Sequence, residues 1–140
     1  MKKREKQTIG RREFVGFPEL GLQGVEAKVD TGAYTTALHC DTIRVAGGIL
    51  FFKPLGPEYP NYKDKELSFK EFKKKGIKNS FGDVEERYII RTKIKIGKRI
   101  IKSLISLTDR GNMRYPVLIG RKLLKNKFIV DVSQVHLIKH

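Results

Sequence analysis

The sequence predicts an all-β domain, a closed or nearly closed barrel of at least seven short strands with one short helix. Three observations lead there: apolar runs with a period of two, turns rich in glycine and proline at short intervals, and a single stretch of helical spacing near the C-terminus. The chain has 140 residues, which allows one compact domain with a self-supporting core. Residues 9–140 are expected to form that domain, and residues 1–8, heavily charged and without periodicity, a disordered basic arm.

Arg12 to Phe17 reads as a strand, Pro18 to Gly21 as a turn, and Leu22 to Val29 as the returning strand. Ile43 to Val45 and Ile49 to Phe52 flank Ala46-Gly47-Gly48, a hairpin signal. Pro54, Gly56, Pro57 and Pro60 interrupt any regular element, so residues 53–65 read as a surface insertion. From Leu67 the pattern is extended again as far as the turn-rich group Asn79-Ser80-Phe81-Gly82. Tyr88 to Ile96 is then the clearest strand, with Ile90, Thr92, Ile94 and Ile96 on one face and Arg91, Lys93 and Lys95 on the other. Gly97 turns the chain into a partner strand, Arg99 to Leu107. Val117 to Ile119 is a short strand, Arg121 to Lys127 has helical spacing, and Ile129 to Val132 and Val135 to Ile138 are expected to close the chain as strands.

Thirty Lys and Arg against fifteen Asp and Glu give a net charge of +15, and after Glu86 there are fourteen basic residues but only two acids, Asp109 and Asp131. Such a field recruits nucleic acid, an anionic membrane surface or an acidic polypeptide, and charge alone does not choose among them. No apolar run approaches the roughly 20 residues that cross a bilayer, so no spanning segment is expected, and a membrane is not among the expected partners. The basic N-terminus is followed by no apolar stretch before Arg11 and Arg12, so export is not expected. A single cysteine, Cys40, excludes an intrachain disulfide and fits a reducing cytoplasm, the expected location.

The sharpest chemical feature is Lys28-Val29-Asp30-Thr31-Gly32-Ala33, an acid at the end of an apolar strand followed by a hydroxyl residue and a glycine. Glycine lets the backbone fold under the carboxylate so that amide groups approach its oxygens, and the threonine hydroxyl braces the turn. An ordinary Asp-Thr-Gly turn between strands is the plain alternative. About ninety residues later comes Pro116-Val117-Leu118-Ile119-Gly120-Arg121, directly before Lys122-Leu123-Leu124. No metal or cofactor is expected. There is no His-Glu-x-x-His, no Cys-x-x-Cys and no Gly-x-x-x-x-Gly-Lys-Ser/Thr, and the adjacent His39 and Cys40 point to opposite faces of a strand.

This pairing of motifs resembles the retropepsin-like aspartic proteases, in which an apolar strand, Asp-Thr-Gly-Ala, a flap hairpin, an apolar pair with Gly-Arg and a Leu-Leu helix occur in this order. The match is closer to a bacterial family historically labelled an ATP-dependent zinc protease and associated with RimK-type glutamate ligases. It rests on Ile9-Gly10-Arg11-Arg12-Glu13, Val29 to Ala33 with Thr36-Ala37-Leu38-His39, Glu86-Arg87-Tyr88, Leu107-Thr108-Asp109-Arg110, Met113 to Arg121 and Phe128 to Val132.

The resemblance implies the acid-protease fold, a retropepsin-like closed β barrel. It implies Asp30, Thr31 and Gly32 as catalytic residues, with Thr31 gripping the neighbouring subunit's turn, and Ala33 lining the substrate. Such enzymes activate water between two carboxylates sharing one proton. The chain holds a single Asp-Thr-Gly, because Asp131-Val132-Ser133 and Asp109 both lack that signature, so an active site requires a homodimer. Arg121 is implied to be a structural support, although Tyr34 stands where viral relatives place the acid that pairs with it. A flap is implied too. The Leu67 to Ile90 hairpin, tipped by substrate-contacting Asn79, Ser80, Phe81 and Gly82, has the right place in the order, and the Ile43 to Phe52 hairpin is its competitor. The expected activity is that of an aspartic endopeptidase on an acidic peptide or protein, with a possible partner in a RimK-type ligase. The alternative is a non-catalytic module of the same fold holding RNA, ribosome or an acidic tail.

Overall fold

The computed structural model describes residues 5–78, 82–109 and 114–139. Eleven strands, one short helix and one 3-10 turn are present among them. The first strand, β1 (Gln7–Gly10), begins two residues ahead of Ile9 and pairs in parallel with the last, β11 (Phe128–Asp131). β2 (Arg12–Phe17) and β3 (Leu22–Val29) form an antiparallel pair joined by a 3-10 turn, Pro18–Leu20, as the sequence predicts. β4 (Thr36–Ala46) and β5 (Ile49–Pro54) form the expected hairpin. Gly47 and Gly48 both adopt positive φ, 58° and 74°, at its tip, a geometry that suits the twist of the flanking strands.

The stretch from Leu67 divides differently from the predicted hairpin. β6 (Leu67–Phe69) adds to β5, and only β7 (Lys73–Lys78) pairs with β8 (Val84–Ile96). β8 pairs along its barrel half with β9 (Arg99–Thr108), and β10 (Val117–Ile119) is followed by the one-turn helix α1 (Arg121–Leu124). The predicted strand Val135 to Ile138 is absent. Its amides are taken by other partners: His136 donates to the Arg12 carbonyl at 2.9 Å, and Leu137 and Ile138 donate to the Glu13 carboxylate at 2.9 and 3.1 Å. With two of its donors engaged by the Glu13 side chain and a third by a single β2 carbonyl, the segment forms no continuous ladder.

Six strands close a barrel in the order β10, β3, β2, β8, β9, β4 and back to β10. β10 closes it, running parallel to β3 and antiparallel to β4, the two strands that flank the Asp30 turn. The period of two decides what fills the barrel. Ile90, Thr92, Ile94 and Ile96 are at most 1% exposed, while Arg91 and Lys95 lie outside. Val15 and Phe17 of β2, Val25 and Ala27 of β3 and Ile105 and Leu107 of β9 complete the same core. The fold is therefore the nearly all-β closed barrel with one short helix that the sequence predicts.

Candidate active site

Asp30 follows the last residue of β3 and is anchored from three sides. Its amide donates to the Ile119 carbonyl of β10 at 2.9 Å, its own carbonyl accepts from the Ala33 amide at 3.1 Å, and its Oδ1 accepts from the Gly32 amide at 3.1 Å. The backbone thus folds under the carboxylate, as the glycine predicts. Asp30 is partly exposed, and Thr31 and Gly32 are exposed.

The second motif holds this turn from behind. The Arg121 amide donates to the Ala33 carbonyl at 2.8 Å and the Lys122 amide to the Tyr34 carbonyl at 3.1 Å. The Arg121 guanidinium donates from Nη1 to the Gly32 carbonyl at 3.2 Å and to the Thr31 carbonyl at 3.5 Å. The missing acid at position 34 is replaced by an aromatic face: the Arg121 guanidinium lies 5.3 Å from the Tyr34 ring centre and the Lys122 ammonium 5.7 Å from it. Arg121 is therefore supported by carbonyls and an aromatic ring rather than by a carboxylate, and it stays exposed.

Thr36, buried at the start of β4, accepts at its hydroxyl from the Gly120 amide at 3.1 Å. Sequence reasoning gave Thr36 no role of its own, because its partner is 84 residues away. Glu13, 0% exposed, was equally silent. Its carboxylate accepts from the Gly10 amide at 2.7 Å and from the Leu137 and Ile138 amides, fixing both ends of the chain to β2.

The other expected residues are dispersed. Asp131 ends β11 and is capped by the Ser133 hydroxyl at 2.6 Å and amide at 3.0 Å, which hold its carboxyl below the usual carboxylate range. Asn79, Ser80 and Phe81 lie outside the described residues. Gly82 opens the return of the β7–β8 hairpin with φ 86°. β8 runs past its last barrel pairing, Tyr88 with Leu107, so its Val84 to Arg87 end is paired to β7 alone and stands off the barrel edge.

His39 is buried, with Nε2 3.3 Å from Glu58 Oε1 and its ring edge-on to Tyr59. Burial, aided by the charge of Asp109, pushes the neighbouring Cys40 thiol up. Among the described residues no three His, Cys, Asp or Glu side chains converge to hold a metal.

A closed barrel with an Asp-Thr-Gly turn at the end of one strand, backed by an Ile-Gly-Arg strand and a one-turn helix, defines the retropepsin-like class of aspartic endopeptidase folds. Residues 8–140 match the family described as retropepsin-like aspartic endopeptidase RimB, and the chain belongs to this RimB-like family. It is also similar to proteins named probable alpha-L-glutamate ligase. One from Shewanella halifaxensis is 32% identical over 92% of this chain and 29% of its own length, and one from Desulfotalea psychrophila is 31% identical over 90% and 28%. The chain thus spans less than a third of these relatives. A Legionella pneumophila protein of unknown function has a crystal structure that superposes with a TM-score of 0.70 at 25% identity, covering 96% of this chain and all of the other.

Proposed function

We propose that the protein is an aspartic endopeptidase whose site is assembled from two copies of the chain, each supplying Asp30. The carrying observation is the Asp30 turn itself, with its carboxylate over the Gly32 amide and its carbonyls held by Arg121. Two such carboxylates facing each other share one proton, because two like charges so close do not both ionise cheaply. The ionised one takes a proton from water as it attacks the scissile carbonyl, and the protonated one polarises that carbonyl. Thr31 and Ala33 line the approach, and the β7–β8 hairpin is the cover that excludes water.

The substrate class follows from charge and kinship. A chain of net charge +15 favours an acidic polypeptide. Its similarity to part of proteins named as glutamate ligases supports a glutamate-rich tail as substrate and a RimK-type ligase as the partner that makes it. Asp30→Asn keeps the size of the side chain and removes the base. Cleavage of a glutamate-tailed protein is expected to fall by about 10³-fold or more while the circular dichroism and melting temperature hold. Turnover near the wild-type rate would remove Asp30 from the mechanism.

The second reading is a binding module, favoured by the outward row Arg91, Lys93 and Lys95 on β8. It expects RNA affinity that falls steeply with salt and is indifferent to Asp30→Asn.

A further inference from the structure

Part of the positive charge is concentrated in a groove beside the catalytic turn. The groove encloses about 510 Å³, with Leu124, Phe128 and Val130 as its floor and Arg121, Lys122 and Lys125 as its rim. No acidic residue lines it among the described residues. Thr31, which follows Asp30, forms one wall, so a twofold axis beside Asp30 brings the groove against the second copy.

Two effects oppose each other at such an interface. The apolar floor gains from being covered, whereas the rim cations, three from each protomer, repel across the axis. None of the three is paired with a carboxylate in the ion pairs of the described residues. Arg121 rests on carbonyls and on Tyr34, and Lys122 on the same ring.

We propose that an acidic polypeptide relieves this repulsion, so that substrate binding and dimer formation are thermodynamically coupled and the second Asp30 arrives together with the substrate. Carboxylates laid along the two rims replace cation–cation repulsion by attraction, and by linkage the dimer binds the acidic chain more tightly by the same factor. An acidic polypeptide fits better than nucleic acid because the groove offers one half-exposed ring, Tyr34, rather than the run of rings on which successive bases stack. Phe128 is buried, with the Arg99 guanidinium 5.3 Å from its ring centre, and Tyr34 already holds the Arg121 and Lys122 cations 5.3 and 5.7 Å from its own. The inference rests on the two-copy reading and adds a switch to it: the free chain is a poor dimer at low ionic strength, and the substrate assembles the enzyme.

Sedimentation equilibrium of the Asp30→Asn protein, which leaves the peptide intact, tests the coupling. A short oligoglutamate is expected to tighten the dimer by about tenfold or more, and a neutral Gly-Ser peptide to leave it unchanged. Raising salt from about 0.01 M to about 1 M shortens the screening length from roughly 30 Å to roughly 3 Å and should also tighten the dimer. The double variant Lys122→Gln, Lys125→Gln should dimerise more tightly at low salt and lose most of both responses. A dimer constant indifferent to oligoglutamate, or a full response in the double variant, overturns the coupling. An oligonucleotide that promotes the dimer where oligoglutamate does not overturns the assignment to acidic polypeptide. If the constants prove insensitive while the wild type cleaves and Asp30→Asn does not, the switch fails and the dyad stands. A chain that cleaves while strictly monomeric ends both.

Discussion

A methyl group on Gly120 would sit 2.7 Å from the Tyr34 carbonyl oxygen and from the Thr35 carbonyl carbon, both backbone atoms that cannot rotate aside. The Ile-Gly-Arg motif marked Gly120 in the sequence, but only the fold shows what the absent side chain avoids. Gly120→Ala is expected to cost about 1–3 kcal/mol by overpacking. Under the proposed mechanism its larger effect falls on the turn that carries Asp30, since a displacement near 1 Å at a reacting group costs about 10²-fold in rate. Chemical denaturation and cleavage kinetics on the same variant separate the two effects, and a stable, fully active variant would show that the Asp30 turn tolerates movement. The turn from Asp30 to Gly32 was legible because its hydrogen bond is local, one residue bonding the next but one. Glu13 was not legible: its amide partners at positions 137 and 138 are distant in sequence, and a lone acid in a strand looks like an outward-facing residue.

At the scale of elements, α1 is a helix only because the barrel makes it one. Four residues are far fewer than the roughly 12 needed for an isolated helix in water. Gly120 at its N-terminus offers no side-chain cap, and the turn is held by burial of Leu123 and Leu124, 3% and 5% exposed. That burial is also what points Arg121 at the Thr31 and Gly32 carbonyls. Leu123→Ala is therefore expected to destabilise the fold by about 2–4 kcal/mol and to lower activity further than stability alone explains. Activity measured well below the melting transition is the check, and unchanged kcat/KM there would disconnect the helix from the turn. The alternation in β8 was readable because one face is wet and the other buried. The split of residues 67–78 into β6 and β7 was not, because two short strands with different partners leave the same extended pattern as one long arm.

At the scale of the molecule, closure depends on β10, three residues that pair with strands some ninety and eighty positions earlier, and no local pattern encodes that pairing. What the sequence does encode globally is charge, and charge sets the response to acid. Asp64 is held below the usual carboxylate range first by the Lys53 ammonium at 2.8 Å and then by the Tyr62 hydroxyl. Glu66 is held low by Arg44, also at 2.8 Å, and Asp131 by Ser133. A carboxyl with a depressed pKa in the fold contributes stability above its unfolded value and loses it as pH falls through the folded one, because the unfolded chain takes up the proton first. Asp64 and Glu66 are exposed and Asp131 is partly exposed, so each contributes little alone. Protonating all fifteen acids, however, takes the formal charge from +15 towards +30, and self-repulsion grows in the same direction. The melting temperature is thus expected to fall as pH drops from about 5 to about 3, and to fall less at high salt, where the repulsion is screened. Melting curves at several pH values and two ionic strengths decide it. A flat profile would mean that the unfolded chain keeps the same ion pairs, and a profile indifferent to salt would assign the acid response to individual carboxylates rather than to the net charge.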